Sequence, residues 1–324
     1  MSGEEESSCC NMCFTTWIAI AIGLYFLRKW FKGGLCASPA RLDGKTVLIT
    51  GCNTGIGKET AFDLSRRGAR VGMLCRNDVL ANAAAEEIRK ETNGDIVVYK
   101  CDLSSLKSIR ECAKEILAKE EQINILINNA GVMWTPFITT EDGFELQMGT
   151  NHFGHFLLTN LLLDKIKRSG PARIINVSSL GHQFGNLDFD DLNWEKRKFN
   201  TVNAYGDSKL ANIYFTKSLA QRLENSNVTV YALHPGAVMS DLGREIKKKI
   251  GAIPYDITVG LMSFFLKRNK EGAQTSIYCA VDESIAKESG KYYSDCAEKE
   301  PTALAQDMEK AERLWELSEK AVGL

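Results

Sequence analysis

A chain of 324 residues, 44% of them hydrophobic, is long enough to bury one large core or two small ones. Its formal net charge of −1 gives no electrostatic reason to expect nucleic acid as a partner. The ten cysteines are scattered without paired metal-ligand spacing, and a disulfide framework is not expected in a chain this long, so a reducing compartment fits best.

The N-terminal segment 1–32 differs in kind from the rest. Residues 14–27 are uncharged and apolar, followed by Arg28, Lys29 and Lys32, with Trp30 and Phe31 extending the run. The run is shorter than the ~20 residues of a comfortable membrane span. A cleaved signal peptide would begin with a basic leader, whereas this chain begins with Glu4, Glu5 and Glu6. The expectation is a retained membrane-anchor helix over about 14–31, with a signal peptide or a buried helix as the alternatives. The nearby Lys and Arg lie on the C-terminal side, so the positive-inside rule turns the main domain to the cytosol. That orientation puts Cys9, Cys10 and Cys13 in the lumen, which argues against palmitoylation there.

After Gly33-Gly34, strand and helix patterns alternate. Strands are expected at 45–50, 70–75, 96–101, 123–128, 173–177, 228–233 and 290–293. Helices are expected at 57–67, 78–92, 104–120, 143–168, from about Tyr205, and at 272–281. Strands that are nearly continuous apolar runs imply an α/β fold, a Rossmann-like doubly wound parallel sheet in a single catalytic domain over 41–300. A helical tail over 301–324 follows. In such a sheet, ligands bind beyond the C-terminal strand ends where the strand order reverses.

Thr50-Gly51-Cys52-Asn53-Thr54-Gly55-Ile56-Gly57 closes the first strand and opens the first helix of the sheet domain. Glycines there let the backbone turn tightly and approach a pyrophosphate, which the helix N-terminus then stabilises. An acidic residue at the end of the second strand would hydrogen-bond an adenosine ribose, as in NAD sites. Here Arg76 follows Cys75, and no carboxylate appears before Asp78. Arg76 suits a 2′-phosphate, with Lys58 as a helper; the alternative is a solvated surface arginine. Asp102 reads either as an acceptor for the adenine amino group or as a cap for the helix near Ser104. Asn128-Asn129-Ala130-Gly131 allows close approach to a cofactor, or is an ordinary Asn/Gly turn. The fifth strand ends in Ser178-Ser179, aiming a hydroxyl at the same crevice.

Tyr205 and Lys209 stand four apart and so share one helix face. A phenol titrates near pH ~10, too high for a base at neutral pH. An ammonium one turn away favours the phenolate and draws that value toward the working range. His234-Pro235-Gly236 ends the sixth strand in a sharp turn over the expected nicotinamide.

With these motifs in order, the chain resembles the short-chain dehydrogenase/reductase family on residues 50–57, 128–131, 205–209 and 235–236. The resemblance implies that Tyr205 gives or takes the proton. Lys209 then holds the nicotinamide ribose and tunes Tyr205, Ser179 hydrogen-bonds the substrate oxygen, and Asn151 supports a water-linked proton path to Lys209. It implies cofactor contacts from Gly51, Asn53, Thr54, Gly55, Ile56, Gly57, Arg76, Asp102, Asn129, Ala130, Gly131, Tyr205, Lys209, Pro235, Gly236, Val238 and Ser240. His155 and His182 read as structural or surface residues, since the Tyr-Lys pair already handles the proton.

The interval between Ser179 and Tyr205 is long for the family and carries Leu187-Asp188-Phe189-Asp190-Asp191-Leu192-Asn193-Trp194. With Leu42-Asp43-Gly44-Lys45-Thr46-Val47 and Gln147-Met148-Gly149-Thr150-Asn151-His152, it is similar to the membrane-anchored retinol/retinal dehydrogenase group. That resemblance implies NADP(H), a retinoid or related lipid aldehyde or alcohol, and the endoplasmic reticulum. Cys52 stands where that group would have alanine. Residues 240–270 turn Lys-rich and then apolar, and family position makes them a substrate lid; packing on the sheet edge or in a homo-oligomer interface is the alternative. A fatty-aldehyde or steroid enzyme, and a non-catalytic NADPH-binding scaffold, are the competing readings.

Overall fold

Alternate residues of one strand feed two cores. Leu48 belongs to one apolar cluster, while its neighbours Val47 and Ile49 belong to another. That is the mark of a strand covered on both faces by helices. The computed structural model describes residues 3–239, 260 and 262–324. Among them, helix α1 (Gly3–Lys32) precedes β1 (Thr46–Thr50), α2 (Gly55–Arg66), β2 (Arg70–Cys75), α3 (Asp78–Thr92), β3 (Ile96–Lys100), α4 (Leu106–Lys119) and β4 (Ile125–Asn128). Then come α5 (Leu146–Met148), α6 (Gly154–Arg168), β5 (Ala172–Val177), α7 (Thr201–Arg222) and β6 (Val228–Leu233). The chain ends with α8 (Asn269–Gly272), α9 (Gln274–Val281), β7 (Lys291–Ser294), β8 (Ala297–Glu298) and α10 (Met308–Val322).

The strands form one sheet in the order β3-β2-β1-β4-β5-β6-β7-β8. Neighbours are parallel except for the short antiparallel edge pair β7–β8. β1 pairs with β2 on one side and β4 on the other, so the strand order reverses there and a crevice opens above the two strand ends. Thr50 lies at the top of β1, in register with Leu74, and Asn128 tops β4 opposite Asn176.

Three outcomes differ from the sequence expectation. The helix expected over 143–168 is interrupted by a π turn, Gly149–Phe153, which carries Asn151. Such a turn inserts a residue into the helical ladder and re-aims the side chains around it. The segment expected as a tail is instead part of the body. α10 buries Leu314 and Trp315, and the Trp315 ring lies 4.8 Å from Phe156. Finally, the expected anchor segment forms α1, but among the described residues no helix is long and apolar enough to cross a membrane. The apolar run stops at Arg28, short of the ~20 residues a span requires. Its lower end docks on the body: Arg28 pairs with Glu271 at 3.2 Å, and Phe31 meets Phe265 edge-on at 5.0 Å.

Candidate active site

Gly51 (φ +62°) and Gly55 (φ +61°) turn the chain between β1 and α2 in the left-handed region that favours glycine. The turn packs directly on the end of β4. A Cβ added at Gly51 would lie 2.8 Å from the Ala130 Cβ, and one at Gly57 would lie 2.5 Å from Asn129 Nδ2. Asn129 Nδ2 donates to the Thr50 carbonyl at 2.9 Å and the Gly51 carbonyl at 3.2 Å. Asn53, Thr54 and Ile56 are half-buried along the turn. Thr54, at the start of α2, makes no side-chain cap bond, whereas Asn77, Ser105 and Asn200 cap α3, α4 and α7. The first N–H groups of α2 therefore have no side-chain acceptor, and a pyrophosphate fits that donor set. Cys52 is fully buried with Sγ 3.1 Å from the Ile49 carbonyl and 4.0 Å from Cys75 Sγ; burial pushes its thiol up, as for a packing residue.

At the end of β2, Arg76 is exposed and makes no ion pair among the described residues. Lys58, expected to help it, is held by Glu87 at 2.6 Å. Asp102 accepts from the Ser104 N–H at 3.0 Å and the Ser104 hydroxyl at 2.6 Å, while the cap of α4 is Ser105. The loop after β3 is thus braced by Asp102 itself.

The other half of the site comes from β5 and α7. Ser179 follows β5, accepts from the Gly181 N–H at 3.0 Å, and lies beside the Tyr205 phenol, which its hydroxyl draws down. A Cβ at Gly181 would lie 2.8 Å from Tyr205 Cε1, so the ring is held closely. Lys209 Nζ donates to the Val177 carbonyl at 3.1 Å and lies 5.7 Å from the Tyr205 ring centre. Both groups are buried. Burial pushes the phenol up to about 12, against the Ser179 hydroxyl, and pushes the Lys209 ammonium down to about 8. The phenol lies above its ordinary value here because desolvation outweighs the effect of the Ser179 hydroxyl.

Asn151 clamps the backbone beyond β4: Oδ1 accepts from the Val132 N–H at 2.8 Å and Nδ2 donates to the Val132 carbonyl at 3.0 Å. Nδ2 also meets Ser208 Oγ of α7 at 2.9 Å. A Cβ at Gly131 would lie 3.3 Å from Asn151 Oδ1 and 3.4 Å from Lys209 Nζ. Gly131, Asn151 and Lys209 therefore converge, with Tyr205 and Ser179 beside them. After β6, Gly236 (φ +87°) donates its N–H to His234 Nδ1 at 3.0 Å, half-buried Pro235 precedes it, and Val238 bridges to Lys267. Ser240 and most of the expected lid lie outside the described residues. His182 is a structural residue, its Nδ1 bound to the Ser179 carbonyl at 2.7 Å and its ring 5.4 Å from Tyr292.

One cluster escaped the sequence reading. Asp207, between Tyr205 and Lys209 in sequence, accepts from the Asn186 N–H at 2.7 Å and from Arg197 at 2.9 Å. Arg197 also stacks 3.6 Å over the Trp194 ring. The long interval before Tyr205 is thereby fastened to α7. A carboxylate on the buried face of a helix was the available signal.

Residues 45–251 match the model of the short chain dehydrogenase family. The chain is 52% identical to retinol dehydrogenase 13 of Homo sapiens over 307 residues, covering 94% of this chain and 92% of that protein. It is 48% identical to retinol dehydrogenase 12 of Mus musculus over 299 residues, covering 92% of each. Among solved structures, an uncharacterised protein from Mycobacterium Paratuberculosis aligns with a TM-score of 0.73 at 33% identity, over 90% of this chain and 98% of that one. The RhlG/NADP active-site complex of Pseudomonas aeruginosa aligns with a TM-score of 0.61 at 27% identity, over 78% of this chain and 94% of that one.

Proposed function

The chain belongs to the short-chain dehydrogenase family, and we propose that it uses NADP(H) to interconvert a lipophilic alcohol and its carbonyl, retinol and retinal foremost. The observation that carries this reading is the convergence of the Tyr205 phenol, the Ser179 hydroxyl and Lys209 beside Gly131, next to a glycine turn and an uncapped helix start.

With its pyrophosphate held at that turn, a dinucleotide would supply or accept the hydride at the substrate's carbonyl carbon. Tyr205 gives its proton to the carbonyl oxygen in reduction and takes it back in oxidation. Ser179 donates to the same oxygen and holds it within reach of the phenol. Lys209 is charged below about pH 8 and sits one helical turn away, where it stabilises the phenol as its proton leaves. Asn151 keeps Gly131 and Val132 in place against that pair. Arg76, with no ion pair among the described residues at the end of β2, would meet a 2′-phosphate.

Two features support a lipid substrate. The relatives named above are retinol dehydrogenases, and the loops after β4, β5 and β6 expose Phe137, Ile138, Leu180, Phe184 and Met239. The exposed Trp17, Tyr25, Phe26 and Trp30 of α1 suit a bilayer interface at the endoplasmic reticulum, with the body in the cytosol. The test is NADPH and NADH oxidation by the purified protein with all-trans-retinal, decanal and a ketosteroid. Faster turnover of retinal with NADPH is expected, and a clear NADH preference or indifference to retinal overturns the reading. Tyr205→Phe is expected to lose turnover by about 1,000-fold while still binding NADPH.

A further inference from the structure

His155 is buried on α6, yet it touches two halves of the site. Its Nε2 lies 2.9 Å from Thr50 Oγ1, and its Nδ1 lies 2.9 Å from the main-chain carbonyl of Asn151. The tautomer follows from counting partners. Thr50 Oγ1 accepts from the N–H groups of Asn129 at 2.9 Å and Ala130 at 3.0 Å, which uses both its lone pairs. Its single proton has a short acceptor in His155 Nε2; the Ile127 carbonyl, at 3.5 Å, is at the limit. Nε2 is therefore bare, and Nδ1 carries the proton that it donates to Asn151.

We propose that neutral His155 is a positioning residue for the reaction: it ties the Asn151 carbonyl to Thr50, and so sets the catalytic pair against the cofactor turn. The tie spans the place where the strand order reverses. On one side, Thr50 holds the Asn129 and Ala130 backbone that packs on Gly51. On the other, Asn151 holds Val132 and Ser208, and Gly131 lies between Asn151 and Lys209. A shift of Asn151 therefore moves Gly131 and Lys209 relative to the turn. Burial keeps the imidazole neutral, lowered to about 4, so one hydrogen-bonding pattern persists across the physiological range.

The test separates positioning from mere packing. His155→Phe keeps the bulk and loses both hydrogen bonds. His155→Asn loses the link to Thr50 but can donate to the carbonyl four residues back, as Asn160 does to Phe156 at 2.8 Å on the same helix. With the full chain, NADPH and all-trans-retinal, His155→Phe is expected to lower kcat roughly 10- to 100-fold with the KM for NADPH within about threefold. His155→Asn, which can keep the Asn151 bond but not the link to Thr50, is expected to be about as slow, again with the KM for NADPH nearly kept. Unchanged kcat in His155→Phe, a loss confined to KM, or an Asn variant that recovers the wild-type kcat overturns the inference. If His155→Phe does not fold, His155→Asn decides alone: a kcat lowered about 10- to 100-fold with the KM for NADPH nearly kept supports the tie, and a kcat near that of wild type overturns it. The inference rests on the function proposed above, so wild type and Tyr205→Phe are run alongside. An active wild type and an inactive Tyr205→Phe hold that reading in place, and the His155 result then bears on the tie alone.

Discussion

The turn after β1 works through backbone, whereas the face of α7 works through buried side chains. Around Gly51 and Gly57 no side chain fits, and what the turn offers is close approach and uncapped N–H groups. Around Tyr205 and Lys209 the functional atoms are ionisable and hidden from water, so their protonation is set by packing rather than by residue type. The first region acts through close approach, and the second through the protonation of buried groups.

Substitutions sharpen that contrast, and the largest effect is expected at Lys209. Lys209→Met should lower turnover by about 1,000-fold and yet raise stability at pH 7 by about 1–3 kcal/mol, read from denaturant unfolding. The sign follows from linkage. The folded ammonium titrates near 8, below its unfolded value, so between about pH 8 and 10.5 the unfolded chain binds more protons and wild-type stability rises with pH. The advantage of the Met variant should therefore shrink across that window. A variant less stable than wild type at pH 7 would mean the Val177 hydrogen bond outweighs the burial of charge.

Gly57→Ala probes the other region. A Cβ there meets Asn129 Nδ2 at 2.5 Å and the Gly51 carbonyl at 2.6 Å, so backbone must move. The expected cost is about 1–3 kcal/mol in stability, with NADPH affinity weakened about tenfold and kcat at saturation nearly kept. Fluorescence titration of NADPH checks it; unchanged affinity would break the contrast. The smallest effect is expected at Arg76, on the rim. Arg76→Gln should raise the KM for NADPH about tenfold and leave that for NADH alone, since only one of the two carries the 2′-phosphate.

The two regions also differ in how far they could be read beforehand. The glycine turn is local: Gly51, Gly55 and Gly57 stand within seven residues, and β2, α3 and β6 run over the residues expected for them. Tyr205 and Lys209 share a helix face as their spacing requires, but their titration does not follow from that spacing. Asn151 was legible as a residue and not as a geometry, because the π turn that aims it belongs to no simple periodicity. Asp207 and Arg197 went unread because their pairing depends on how the chain between Ser179 and Tyr205 folds back on α7.

What the residue order alone determined is whatever neighbours in the chain decide: alternating apolar runs, a turn that needs glycine, and a phenol and an amine one helical turn apart. Tertiary packing decided the rest. It brought Thr50 and His155 to 2.9 Å, folded the last helix into the core through Trp315, and set Phe31 against Phe265. The physical reason is range. Backbone preferences act over a few residues, while desolvation and buried hydrogen bonds depend on which distant segments exclude water from one another.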